Sequence, residues 1–314
     1  KPDITVVTSV SPEHMENFPG GLAEVAKEEL SIAAYSGLTI VNHDDVDGSF
    51  AQYANTSNLT DYGIDGGEYR IEVTGGSPLQ GYQVNLYAPG LHQPVSTTLH
   101  LLGNHMLKAA CAAFTVGMRL GMAPSAIANQ LAQITPVPGR MNPLPGRKGS
   151  VLIDDTYNSS PVAAIAALQT LYQIEAPQRI AILGTMNELG NYSAAAHQQV
   201  GQYCDPMLLD WVITIGDMAG QNLAPMARKM GCQVRSFNDP LSAGTFAGQV
   251  LKEGAAVLIK GSQNKVFAEE ATKVLLRDTN DKDKLVRQDD YWLKRKQDWY
   301  AELHNQTSDD LDNE

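Results

Sequence analysis

The chain has 314 residues, a length that suggests two domains, and 43% of them are apolar, enough to give each a core. Its formal charge of −12 excludes a nucleic-acid partner, because phosphate contacts need clustered Lys and Arg. Cys111, Cys204 and Cys232 stand far apart in apolar or helical contexts, which excludes a disulfide framework or zinc site and implies free thiols.

No signal-peptide pattern and no membrane-length apolar run occurs, so a cytoplasmic location without a membrane partner is expected. The chain opens on "KPDITVVTSV" without an initiator Met, on a core strand pattern over residues 4–10. "GGLAEVAKEELSIAAYSG" predicts a helix closed by Gly37, and "LTIVNHDD" a second strand ending in acids. From Tyr53 to Leu101, alternating segments such as "YRIEVTGG" and "YQVNLYAPG" predict antiparallel hairpins. "NHMLKAACAAFTVGMRLGM" and "APSAIANQLAQI" predict two helices, and the Pro- and Gly-rich "TPVPGRMNPLPGRKGS" a domain linker.

Beyond it, strands at Val151–Ile153, Arg179–Leu183, Trp211–Ile215, Gln233–Ser236 and Ala256–Ile259 alternate with helices near 161–174, 193–205, 218–230, 240–252 and 265–277. Such a βαβ series predicts a parallel sheet with ligands at the carboxyl ends of its strands. The acidic end, "TSDDLDNE", reads as a disordered tail.

"IDDTYNSSP" lies at one of those strand ends. Ser160 and Pro161 there are helix-start chemistry, a cap and a first-turn proline. Capping leaves Asp154, Asp155 and Tyr157 unexplained. Asp155 can accept from ribose hydroxyls, Tyr157 offers a stacking face, and Asn158 a donor and an acceptor. His14, just past the first strand, reads as a structural residue or a ligand. Lys27, followed by two Glu, fits a solvated helix face with favourable pairs or a functional partner of His14. His105 at a helix start is a cap-region residue or a ring that meets a ligand. Arg140, in the linker, is a surface charge or a phosphate-reaching fork. "PGRKGS" lacks P-loop spacing and reads as a hairpin turn, "HDDVDGSF" lacks the closing Glu of a calcium loop, and no nucleophile elbow occurs.

Taken in order, "KPDITVVTSVSPEHMENF", "AEVAKEEL", "PVPGRMNPLPGRKGSVLIDDTYNSSP", "RIAILGTMNELGNYSAAAHQQVG" and "VLIKGS" resemble the Mur ligase family across almost the whole chain. The resemblance implies an α/β fold: the distal part of a central ATPase domain over 1–137, with strands, helices and antiparallel hairpins. A Rossmann-like C-terminal domain with a mainly parallel sheet follows over 138–300, then the tail over 301–314. It implies ATP and Mg2+ as cofactors. The implied reaction is peptide-bond formation in peptidoglycan precursor synthesis, joining an amino acid or a D-Ala-D-Ala-like dipeptide to a UDP-MurNAc-peptide through an acyl phosphate.

By the same resemblance His14 and Lys27, the latter carbamylated, hold the metal and with Arg140 are catalytic. His105, Arg140, Asp155, Tyr157 and Asn158 contact the nucleotide, and Gly261, Ser262 and Glu188 the incoming substrate. The family's glycine-rich ATP loop, N-terminal UDP-binding domain and acidic magnesium ligand have no counterpart in these residues. A chain inactive alone, working with a partner half that carries the loop, is therefore expected. Met106 and Ala109 stand where the family has two adenine-contacting amides, and Thr185 where it has an Asp. The competing expectations are a non-catalytic binding subunit of Mur ligase descent and a folylpolyglutamate- or cyanophycin-type amide ligase.

Overall fold

The computed structural model describes residues 1–12 and 17–311, with side chains in the last helix through Leu303. The chain forms two compact units, one of Lys1–Pro136, Ser160–Glu175 and Glu188–Ala196, the other of Val137–Ser159, Ala176–Asn187 and His197–Glu314. Among the described residues no helix is long and apolar enough to cross a membrane.

The first unit holds a six-stranded sheet in sequential order: β1 (Ile4–Val7), β2 (Leu38–Asn42), β3 (Leu59–Gly63), β4 (Tyr69–Ser77), β5 (Gly81–Tyr87) and β6 (Val95–Leu99). Period-2 alternation sends side chains to both faces. Val6 and Ile40 join a core with α2 (Asn104–Arg119) and α3 (Pro124–Leu131), through Leu107, Cys111, Phe114 and Ile127. Val7 and Val41 face the opposite cluster, where Val25, Ala26 and Leu30 form the apolar face of α1 (Leu22–Ser31). The expected hairpins form over β4–β5–β6, which pair antiparallel. β3 departs from that expectation and runs parallel to β2 and β4, its Thr60 and Tyr62 buried as suits an interior strand. This unit also includes α4 (Pro161–Gln173), capped by Ser160 as expected, whose hydroxyl accepts from Ala163 N.

The second unit is the predicted βαβ series. Its sheet, in the order β11-β10-β9-β12-β8-β7, contains β7 (Asn142–Pro145), β8 (Val151–Asp155), β9 (Arg179–Gly184), β10 (Trp211–Ile215), β11 (Val234–Phe237) and β12 (Ala256–Lys260). All neighbours are parallel except β7, which turns back antiparallel on β8. The turn between them is "PGRKGS", a hairpin turn as its sequence predicts, with Lys148 and Gly149 left-handed (φ 53° and 65°). Isoleucine, leucine and valine on β9, β10 and β12 are buried on both faces of the sheet, as interior parallel strands require.

Helices α5 (Ser193–Tyr203), α6 (Ala224–Lys229), α7 (Pro240–Val250), α8 (Glu269–Leu275) and α9 (Asp290–Leu311) complete the order. The helix predicted near 265–277 starts late, because Lys265 and Phe267 hold left-handed backbone (φ 59° and 45°) that no helix accommodates. The tail expected over 301–314 is helical to Leu311, where α9 continues through "AELHNQTSDDL"; the last three residues lie outside the described set. Ala301, Glu302 and Leu303 are good helix formers, which carries the helix on despite the acids.

The carboxyl ends of β9 and β12 meet at two glycines. A Cβ on Gly184 would lie 3.1 Å from Gly261 Cα and 2.4 Å from the branched Val266 side chain. The strands approach this closely only because neither carries a side chain there. Gly184→Ala should therefore destabilise the protein by about 1–3 kcal/mol. A urea midpoint within experimental error of wild type would refute this account of the contact.

Candidate functional site at the carboxyl end of β8

Successive side chains of a strand point to opposite faces, so Asp154 and Asp155 leave β8 back to back. Both are buried, at 0% and 5% exposure, and both hold the preceding linker. Asp154 Oδ2 accepts from Gly139 N (2.9 Å) and its Oδ1 from the Thr156 hydroxyl (2.6 Å). Asp155 Oδ1 accepts from Met141 N (3.2 Å), and its Oδ2 forms a buried ion pair with Lys260 Nζ at 2.6 Å. Lys260, at the end of neighbouring β12, gives a second hydrogen to the Asn158 carbonyl (3.0 Å).

Tyr157 N donates to Gly139 O (3.0 Å), closing the linker onto the turn. Gly139 is left-handed (φ 69°), and a Cβ there would press on Tyr157 N at 3.0 Å, so the closure needs glycine. The result is an exposed face on a rigid base. Arg140 lies with its guanidinium carbon 4.1 Å from the centre of the Tyr157 ring, and Tyr157 is 44% exposed with Asn158 exposed beside it. A planar cation stacked on an aromatic ring presents hydrogens in a fork that fits phosphate oxygens. This donor set suits a nucleotide.

The predicted residues Arg140, Asp155, Tyr157 and Asn158 thus come together, but their work divides. Asp155 has partners on both oxygens and holds the turn from beneath, whereas Arg140, Tyr157 and Asn158 face outward. Ser262 is buried against the same turn: its hydroxyl donates to Ser159 O (3.4 Å) and accepts from Asn187 N (2.9 Å). Gly261 is the close-approach glycine described above. Thr185, in the loop after β9, accepts from Ala219 N (3.3 Å) through its hydroxyl.

Glu188 is exposed, with left-handed backbone (φ 62°), and is counted with the first unit. Also in that unit are Lys27, exposed on α1, and His105, half-buried in the first turn of α2. One turn on, Lys108 pairs with Asp45 at 2.7 Å. His14 lies outside the described residues. Among the described residues no group of three or more His, Cys, Asp or Glu could hold a metal ion. The three cysteines are free and buried, as expected.

Sequence reasoning missed Lys260, Glu269, Arg287 and Lys296. Arg287 is 8% exposed; its Nε and Nη2 grip the two oxygens of Glu269 (2.9 and 2.6 Å), while Nη1 and Nη2 donate to the carbonyls of Tyr157 and Thr156. Lys296 Nζ reaches Glu269 (2.8 Å), Glu270 (2.6 Å) and the Arg287 carbonyl (2.8 Å). Lys260 had a signal, a lysine ending an apolar strand run. Arg287 and Lys296 had none, since nothing in "DKLVRQDDYWLKRKQ" marks two of its cations as buried.

Asp154 carries no ion-pair partner, and burial pushes its carboxyl up to about 6, with Asp155 and Glu269 adding to the rise and the Thr156 and Gly139 hydrogen bonds opposing it. A carboxyl raised in the folded state stabilises the fold when protonated. Its contribution is complete below about pH 4, its unfolded value, and is lost as the pH rises through about 6.

A family model described as the Mur ligase middle domain matches residues 1–117, and one described as the Mur ligase, glutamate ligase domain matches residues 139–263. The UDP-N-acetylmuramoyl-tripeptide–D-alanyl-D-alanine ligase of Haemophilus influenzae is 32% identical over 224 residues, covering 69% of this chain and 47% of that protein. The chain spans about half the length of the curated relatives it matches. Among solved structures, MurF from Acinetobacter baumannii superposes with a TM-score of 0.73 at 23% identity, over 87% of this chain and 59% of that one. MurF ligase from Thermotoga maritima in complex with ADP gives 0.70 at 21%, over 87% and 62%.

Asp154→Asn removes the charge while its amide still accepts from Gly139 and donates to Thr156. Between pH 4 and pH 8 the variant should gain on wild type by on the order of 3 kcal/mol, about two pKa units. Urea unfolding across that range reads the difference, and a flat one would contradict the burial argument.

Proposed function

Since the chain belongs to the Mur ligase family and carries its middle and C-terminal domains in sequence order, we propose that it forms part of an ATP-dependent amide ligase of peptidoglycan precursor synthesis. The substrates in this reading are a UDP-MurNAc-tripeptide and a D-Ala-D-Ala dipeptide, after the relative named above. The observation that carries it is the exposed Arg140–Tyr157 stack at the carboxyl end of β8, on a turn fixed by two buried aspartates. Parallel sheets bind ligands at that edge, and the Thermotoga maritima relative was solved with ADP.

The chemistry runs in two steps. A substrate carboxylate oxygen attacks the γ-phosphorus of ATP, ADP leaves, and an acyl phosphate forms. The amine of the incoming substrate then attacks the acyl carbon, loses a proton, and inorganic phosphate departs. Arg140 holds phosphate oxygens through its fork, Tyr157 offers its ring face, and Asn158 supplies a donor and an acceptor to the ribose or base. Asp155, with Lys260, keeps those groups in place rather than meeting the nucleotide first. His105 contacts the nucleotide from α2, and Gly261, Ser262 and Glu188 belong to the substrate side.

When bound, magnesium offsets charge on the phosphates. His14 and a carbamate on Lys27 are the residues this reading assigns to it. Lys27 is exposed, so its amine is open to carbon dioxide.

Arg140→Ala should weaken ADP binding by about 10- to 100-fold, the value of a charge-assisted contact. Calorimetry on the chain, or on any longer polypeptide that contains it, reads this. Unchanged affinity would remove Arg140 from the site. Amide product from ATP, UDP-MurNAc-tripeptide and D-Ala-D-Ala together, detected by mass spectrometry, tests the whole reading; absence of product from every such polypeptide overturns it. With 13C-bicarbonate, the protein should show a carbamate NMR signal that Lys27→Ala abolishes. A signal that survives the substitution counts against the Lys27 assignment.

A further inference from the structure

We infer that Arg287 is a positioning residue, which sets the conformation of the Thr156–Asn158 turn and thereby the aim of Tyr157 and Arg140. The inference rests on the reading of that turn as the nucleotide side of the site. It goes further in drawing a segment outside the matched family domain, which ends at residue 263, into the site's construction.

The geometry is specific to a guanidinium. One edge of Arg287 is occupied by both oxygens of Glu269, itself 0% exposed. Two further hydrogens reach two successive carbonyls, those of Thr156 and Tyr157, on a turn 130 residues away in the chain. Successive carbonyls can converge on one group only when the backbone between them turns, so making both bonds selects that turn. An ammonium on a lysine stem has no second edge to do this while keeping a bidentate grip on a carboxylate.

Arg287 is in turn held hard. Its backbone is left-handed (φ 58°), a conformation that costs a side-chain-bearing residue energy and persists when its surroundings over-determine it. Lys296 of α9 binds its carbonyl and Glu269 together, and Trp292 lies under the guanidinium at 5.9 Å. The path from α9 to the exposed stack is therefore short. Lys296 and Glu269 fix Arg287, Arg287 fixes the carbonyls of 156 and 157, and residue 157 carries the ring on which Arg140 lies.

Hydrogen exchange on the full chain tests this without any ligand. Arg287→Gly suits the left-handed backbone and leaves room for a guanidinium ion. In it, amides of 139–141 and 156–158 should exchange at least ten-fold faster, while β9, β10 and β12 keep wild-type protection. Millimolar guanidinium should restore protection at the turn, and potassium at the same ionic strength should not. That rescue separates positioning from general stabilisation. Wild-type exchange at the turn in Arg287→Gly overturns the inference.

If that variant loosens the sheet as well, Arg287→Lys, which keeps a cation on Glu269, decides: loosening confined to the turn supports the inference, and an unaltered turn or a loosened sheet overturns it. ADP affinity is read in parallel and should fall at least ten-fold in Arg287→Gly. If neither the wild-type chain nor any longer polypeptide that contains it binds ADP, the proposed function fails on that count, and the exchange result alone decides the role of Arg287.

Discussion

The second unit depends on one buried pair, the ammonium of Lys260 against the carboxylate of Asp155 at 2.6 Å. Removing two charges from water is expensive, and such a pair is tolerated only where every remaining donor and acceptor is satisfied. Here they are used to tie the structure. Lys260 spends a second hydrogen on the Asn158 carbonyl, and Asp155 its second oxygen on Met141 N. Three pieces of chain, β12, the turn after β8 and the linker before β7, are thereby joined at one point. Deleting either partner leaves an uncompensated buried charge, a loss of several kcal/mol.

The opposite face of β8 solves the same problem differently. Asp154 is held by an amide and a hydroxyl instead of a cation, and its raised pKa is the mark of that choice. Two adjacent aspartates, only one of them paired with an ammonium, hold the turn on both faces yet leave Tyr157 and Arg140 in solvent. Local pairing decides this, and the net charge of −12 says little about it. Around Glu269 and Glu270 the balance is even reversed, with Arg287, Lys296 and Lys273 ranged against two acids.

Much of this was legible in the sequence because it is written in short-range patterns. The β8–β12 alternation, the Ser160 cap and the "PGRKGS" turn each follow from a few neighbouring residues. The grouping of Arg140 with "DDTYN" was legible too, since linker and turn are only a dozen residues apart. What escaped is what depends on partners distant in the chain. β3 has ordinary strand composition, and only its neighbours make it parallel. Asp155 looks like a ligand-facing acid until Lys260, 105 residues on, is seen to occupy it. Arg287 and Lys296 are two cations in a charged stretch whose burial no periodicity announces. His14 and Lys27, grouped by resemblance, still stand on that ground alone.

The antiparallel strand β7 has an effect beyond closing the linker onto β8. In "NPLP" the prolines fall at alternate positions, opposite Ile153 and Val151, while Gly146 N, in step with Asn142 and Leu144, bonds toward β8. The proline nitrogens therefore face away from the sheet, and the outer rim of β7 offers no amide hydrogens there. Its carbonyls can still accept, and Arg277 N donates to Pro145 O (3.0 Å), so this rim, short of donors and partly covered by the chain itself, is a poor template for a strand from another molecule. The residues that carry the chain from linker into sheet thus also guard that side of it against strand-by-strand aggregation.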